Sequence, residues 1–124
     1  MSVLEMYSEF RSEFPNIATK ADEIHIEFWG SLDPEYTYSW FESLAKALHR
    51  EMHNGVEATT YKGVFEYFRK AYLFGGDEAK NCIDVSFTEN LFWRVQPEKA
   101  IEYWSIFPDL LKGLYVNFHN RTPA

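Results

Sequence analysis

The stretch Asp33-Pro34-Glu35-Tyr36-Thr37-Tyr38-Ser39-Trp40-Phe41-Glu42-Ser43-Leu44-Ala45-Lys46-Ala47-Leu48-His49-Arg50-Glu51-Met52-His53-Asn54-Gly55 decides the fold class. Asp33 is a good helix N-cap and Pro34 suits the first helical position, where the missing amide proton costs nothing. Trp40, Phe41, Leu44, Leu48 and Met52 then recur at helical spacing until Asn54-Gly55 stops the run. A helix whose one stripe is this apolar must bury it against other elements.

The flanking sequence offers only more helices. Residues 2 to 14 place Val3, Tyr7, Phe10 and Phe14 on one stripe and Glu5, Glu9 and Glu13 opposite, before Pro15 ends the run. Asn16 or Ile17 to Trp29 repeats the scheme with Ile17, Ala21, Ile24 and Phe28 inward, and Gly30 supplies a left-handed cap. Towards the C-terminus, Thr59 or Thr60 to Phe74 carries Tyr61, Val64, Phe65, Phe68 and Tyr72 and breaks at Gly75-Gly76. Asp77 is placed to cap a helix through Trp93 with Ala79, Ile83, Phe87 and Leu91 inward. Pro97 opens a short helix with Ile101 and Trp104 inward, and a final one follows Phe107-Pro108-Asp109 with Leu110, Leu111, Leu114 and Phe118. No stretch alternates as a strand does. The expectation is an all-α single domain of six or seven antiparallel helices over residues 1–119, with a frayed tail at 120–124.

The 124 residues suit one domain. Aromatic residues make up 19% of them, more than one small core needs, so some should lie at the surface, where Tyr and Trp anchor protein interfaces. Charge is unevenly spread. Residues 1–45 hold nine acidic side chains against two basic ones (Arg11 and Lys20), while residues 46–124 hold ten of each, so the net charge of −7 resides in the first 45. Such a field steers a cationic partner and opposes nucleic acid and anionic membrane. Glu5, Glu9, Glu13, Glu23, Glu27, Asp33 and Glu35, interleaved with Trp29, Tyr36 and Tyr38, form the candidate partner-binding set. A single cysteine, Cys82, and the absence of a leader or spanning segment fit a cytoplasmic chain.

The catalytic inventory is close to empty, and no enzyme or cofactor is expected. His49 and His53 stand at the i, i+4 spacing that lets two imidazoles share zinc. Arg50 occupies the place of the metalloprotease glutamate and no third ligand is evident, so no metal site is assigned and the pair is read as structural or surface side chains. Glu23, His25 and Glu27 read as solvated side chains, because i, i+2 residues on a helix diverge. Cys82 reads as a small buried thiol.

Asp77 through Leu91, with Val85-Ser86-Phe87 and Glu89-Asn90-Leu91 at its centre, is followed by Phe107-Pro108-Asp109-Leu110-Leu111-Lys112. Together with Tyr7 through Phe14-Pro15, these segments resemble a family of small helical bacterial immunity proteins associated with polymorphic toxin and contact-dependent growth inhibition loci. Members of that family tend to carry an aliphatic residue where this chain has Thr88. The resemblance implies a cytoplasmic immunity protein that holds a cognate toxin domain inactive in a one-to-one complex. Many such toxins are nucleases, whose phosphate-gripping clefts are basic. An acidic surface over the first three helices complements such a cleft. The competing expectation is a homodimerising or regulatory helical module without a toxin partner.

Overall fold

The computed structural model describes residues 1–124 and is all-helical. Its organising element is the helix expected after Asp33, here α3 (Thr37–His53), whose Trp40, Phe41, Leu44, Ala45, Leu48 and Met52 are all buried. Pro34–Tyr36 forms a separate tight 3₁₀ turn before it, and the Asp33 carboxylate accepts from the Glu35 amide at 3.0 Å. The capping chemistry is as read, but it serves the turn and not α3. Around α3 lie α1 (Val3–Glu13) and α2 (Pro15–Trp29), then α4 (Lys62–Phe74) after a second 3₁₀ turn at Ala58–Tyr61. The chain continues through α5, which begins at Asp77 and ends at Leu91, to α6 (Pro97–Ile106) and α7 (Asp109–His119). Seven helices thus enclose one core of 32 buried apolar residues. Both α2 and α5 pack along α3, with α1 and α6 touching it more briefly.

Eleven of the aromatic side chains are buried. Phe68 stacks on Phe87 with centroids 4.1 Å apart and on Phe10 at 5.3 Å, while Trp40 meets Tyr7 and Phe41 edge-on at 5.1 Å. Offset and edge-on pairs of this kind add about 0.5–1.5 kcal/mol each beyond their burial. Rings therefore fill the joints between α1, α3, α4 and α5, while Phe65, Phe92, Tyr103, Phe107 and Tyr115 form a second group between α4, α6 and α7.

Four sequence expectations change. Ile101, expected inward on α6, is 49% exposed, because the buried side of that helix runs through Ala100 and Tyr103. Phe28, expected inward, is 60% exposed, because the buried stripe of α2 runs through Ala18, Ala21 and His25 as well as Ile17 and Ile24. His25, expected in solvent, is accordingly only 1% exposed. The helix expected from an Asp77 cap to Trp93 starts from Gly76 at φ +88° and closes at Leu91. Within it, Asp77–Cys82 is α, Ile83–Thr88 is a π segment, and Glu89–Leu91 returns to α. A π segment leaves carbonyls out of step with their usual donors, and the Asn90 side chain supplies one, donating to Ser86 O at 2.8 Å and Val85 O at 3.3 Å. Gly75 permits the turn from α4 to α5: a β-carbon there would stand 2.4 Å from the Ala71 carbonyl oxygen and 3.0 Å from Ala79 Cβ.

At the other end, Asn120 adopts the left-handed conformation that stops α7, and Arg121–Ala124 shares a surface cavity with Phe92 and Tyr115. No helix is long and apolar enough to cross a membrane. Cys82 is a buried free thiol whose pKa burial pushes up to about 12.

Candidate functional site

The sharpest concentration of exposed apolar side chains lies where α2 ends and the chain turns into α3. Gly30 at φ +85° closes α2, its amide donating to Ile26 O at 2.8 Å, and so throws the chain outward instead of continuing the buried stripe. Ile26, Phe28 and Trp29 on the outer side of α2, and Leu32 and Tyr36 beyond its end, are all exposed within eleven positions. Trp29 and Tyr36 stack with centroids 6.3 Å apart and planes inclined 17°, and His25 continues the ladder beneath Trp29 at 6.1 Å and 23°. The ladder is rooted in α3: Ser43 donates its proton to Ser39 O at 3.2 Å, so its oxygen accepts from His25 Nδ1–H at 2.9 Å. Burial lowers the pKa of His25, against a smaller opposing pull from Asp22.

The same segment exposes four acids. Glu23 and Glu27 share a flank of α2, and Asp33 and Glu35 sit on the connecting turn. No Lys or Arg occurs between Lys20 and Lys46. The α3 border is marked by Lys46, whose ammonium lies 4.2 Å from the Phe28 ring centroid, and Arg50, 3.5 Å from the Glu27 carboxylate.

The remaining expected residues go elsewhere. Glu5 closes a capping box with Ser2: the Glu5 amide donates to Ser2 Oγ at 3.1 Å and the Ser2 amide donates to Glu5 Oε1 at 3.2 Å, hydrogen bonds that lower its pKa. Glu9 accepts from the Tyr67 hydroxyl at 2.8 Å, and burial, with Glu9 beside it, raises the Tyr67 pKa. Glu13 lines grooves shared with Tyr67 and Lys70. The α1 row therefore borders α4, while the α2 acids border α3. One continuous acidic face over three helices is not what the chain builds. Tyr38 is half-buried against the core and its hydroxyl accepts from Asn81 Nδ2 at 3.3 Å, so it does not stand free as an anchor.

Between these two groups runs the internal polar joint that the sequence concealed. Asp22 pairs with Arg11 and accepts from Trp40 Nε1 at 2.8 Å. Glu51, 5% exposed, accepts from Lys20 Nζ and from the Tyr61 hydroxyl, each at 2.8 Å. Glu51 falls three residues after Leu48 and seven after Leu44, on the apolar stripe of α3, and that position was the available signal. His49 Nε2 is bonded to Asn90 O at 2.8 Å, whereas His53 is exposed. The two imidazoles serve different surroundings, and no group of three potential ligands converges on a metal position.

A family model described as Domain of unknown function (DUF7674) matches residues 7–121. The chain belongs to that family. No curated protein and no solved structure matches it. The region matched by DUF7674 spans α1 to α7, so it includes the α2–α3 corner and the π segment of α5 together.

Proposed function

We propose that this chain is a non-enzymatic binding protein that docks a cationic protein domain on its α2–α3 corner. The specific form is an immunity protein that neutralises a basic toxin domain, such as a nuclease, in the bacterial cytoplasm. One observation carries the reading: Trp29 and Tyr36, each about half exposed, stack on each other in a segment that also exposes Glu23, Glu27, Asp33 and Glu35 and holds no Lys or Arg. Carboxylates steer and orient a basic partner, while large rings braced on the core desolvate at little entropic cost. The resemblance to immunity proteins supplies the toxin as partner and the cytoplasm as compartment, with the free thiol of Cys82 in keeping.

The test is a triple reversal, Glu23→Lys, Glu27→Lys and Glu35→Lys, beside Trp29→Ala. The reversal should lower the association rate with the basic domain encoded next to this chain by about tenfold or more at low salt. Trp29→Ala should mainly raise the dissociation rate, and circular dichroism should show unchanged helicity in both. Undiminished neutralisation by both variants, or a self-associated dimer with no affinity for the neighbouring product in sedimentation, would refute the proposal and favour a homodimerising module.

A further inference from the structure

The electrically neutral half of the chain carries a second exposed aromatic site, remote in sequence from the acidic corner. Trp93 follows the last turn of α5, and Phe118 and His119 lie in the last turn of α7. With Glu89 and Asn90 they line a surface cavity of about 200 Å³. Small-molecule sites occupy roughly 300–1,000 Å³, so this one has room for a single long side chain.

Its walls are rings in fixed positions. His119 stacks on Trp93 at 5.9 Å and 23° and meets Phe118 at 4.7 Å and 86°. A hydrogen bond between His119 Nε2 and Glu89 O, 2.9 Å long, ties the imidazole to the end of α5. Glu89 is the one formally charged lining residue. Its carboxylate takes part in none of the protein's side-chain hydrogen bonds or ion pairs. Burial, reinforced by Asp84 and Glu42 and opposed by His119, raises its pKa. Arg94 lies 5.5 Å from the Trp93 centroid but lines a different cavity, on the side of Val95 and Tyr115, so it does not fill this one.

A half-buried carboxylate that makes no hydrogen bond or ion pair, set among aromatic faces, suits a planar organic cation, which stacks on the rings and bonds the carboxylate with paired N–H groups. The geometry points to the α5–α7 cavity as a receptor for one arginine side chain of a protein partner, its stem along Trp93 and Phe118 and its guanidinium at Glu89.

The inference stands apart from the α2–α3 reading, because the two sites contain different tryptophans. The experiment is a ¹H–¹⁵N titration of the full chain with N-acetyl-arginine amide, its neutral analogue N-acetyl-citrulline amide, and N-acetyl-lysine amide, into the millimolar range expected of a single side chain. The arginine compound should shift the Trp93 indole N–H and the Glu89 and His119 amides saturably. Citrulline should do so at least fivefold more weakly, lysine more weakly than arginine, and Glu89→Gln should weaken arginine binding at least fivefold. Because the Glu89 carboxylate makes no hydrogen bond in the fold, this variant should remain folded. Equal response to citrulline, tighter binding of lysine, unaltered binding by Glu89→Gln, or shifts confined to Trp29 and its neighbours would each overturn the assignment. The last outcome would leave the acidic-corner reading intact.

Discussion

The Nδ1–H of His25 donates to Ser43 Oγ across 2.9 Å, and through that bond the exposed Trp29 is braced on the core helix α3. The ring beneath Trp29 is buried, so it remains neutral at a pH where an exposed histidine has begun to charge. The proposed anchor thus rests on an imidazole whose protonation opposes folding.

Stability should therefore fall as pH drops. His25 has its pKa lowered in the folded state by burial, while the unfolded chain takes up the proton at about 6.5. Below that pH, down to the folded pKa, the unfolded state binds more protons, and stability is lost with acid. His49, also lowered mainly by burial, acts in the same direction. Urea unfolding at pH 7.5 and 5.5 should show a smaller loss for His25→Gln than for the parent chain. An equal loss would mean that His25 is charged when folded. Ser43→Ala, which strands a buried N–H, should cost about 1–3 kcal/mol at pH 7.5.

The buried Glu51 carboxylate depends more on Tyr61 than on Lys20. Both partners are 2.8 Å away, but the Lys20 side chain is half exposed, so water can replace the ammonium once it is removed. The Tyr61 hydroxyl is enclosed, and burial together with Glu51 raises its pKa. Tyr61→Phe should then cost about 1–3 kcal/mol in chemical denaturation, whereas Lys20→Met should cost about 1 kcal/mol or less. The reverse order would show that the charge pair, not the hydroxyl, holds Glu51.

How much of this was legible follows from the period of each helix. The apolar stripe of α3 gave its length and inward face, and Gly30 was identifiable as the left-handed stop of α2. His25 was hidden because the stripe was traced along Ile17, Ala21, Ile24 and Phe28. Ala18, Ala21 and His25 are spaced three and four apart as well, and tertiary packing selected that line. The separation of the α1 acids from the α2 acids was not readable at all, since neighbouring charges in sequence do not reveal which helix each will face. Nor does local composition announce a π segment, because the stretch Ile83–Thr88 would serve equally well as α-helix.

Asn90 holds that segment, which predicts a steep penalty for shortening it. Asn90→Ala removes both side-chain bonds to Ser86 O and Val85 O but leaves its own carbonyl available to His49. A loss of about 1–3 kcal/mol is expected. Asn90→Asp should be worse, because a carboxylate would face carbonyl oxygens with no proton to offer. Amide exchange should quicken across residues 83–91 in Asn90→Ala. If exchange there is unchanged, the segment is held by core packing alone.

Thr88 supplies the opposite case, a side chain whose replacement should stabilise. It lies inside the π segment at 0% exposure, and its hydroxyl is the one buried side-chain polar atom of the protein without a hydrogen-bond partner. Desolvating a hydroxyl without compensation costs about 1–3 kcal/mol in proteins, and valine has nearly the same shape. Thr88→Val should therefore raise the unfolding free energy by on the order of 1 kcal/mol. Thr88→Ser, which keeps the unpaired hydroxyl and loses a buried methyl, should lower it by about as much. Should Thr88→Val prove less stable than the parent, the hydroxyl must find an acceptor in solution, and the π segment would have to relax to provide it.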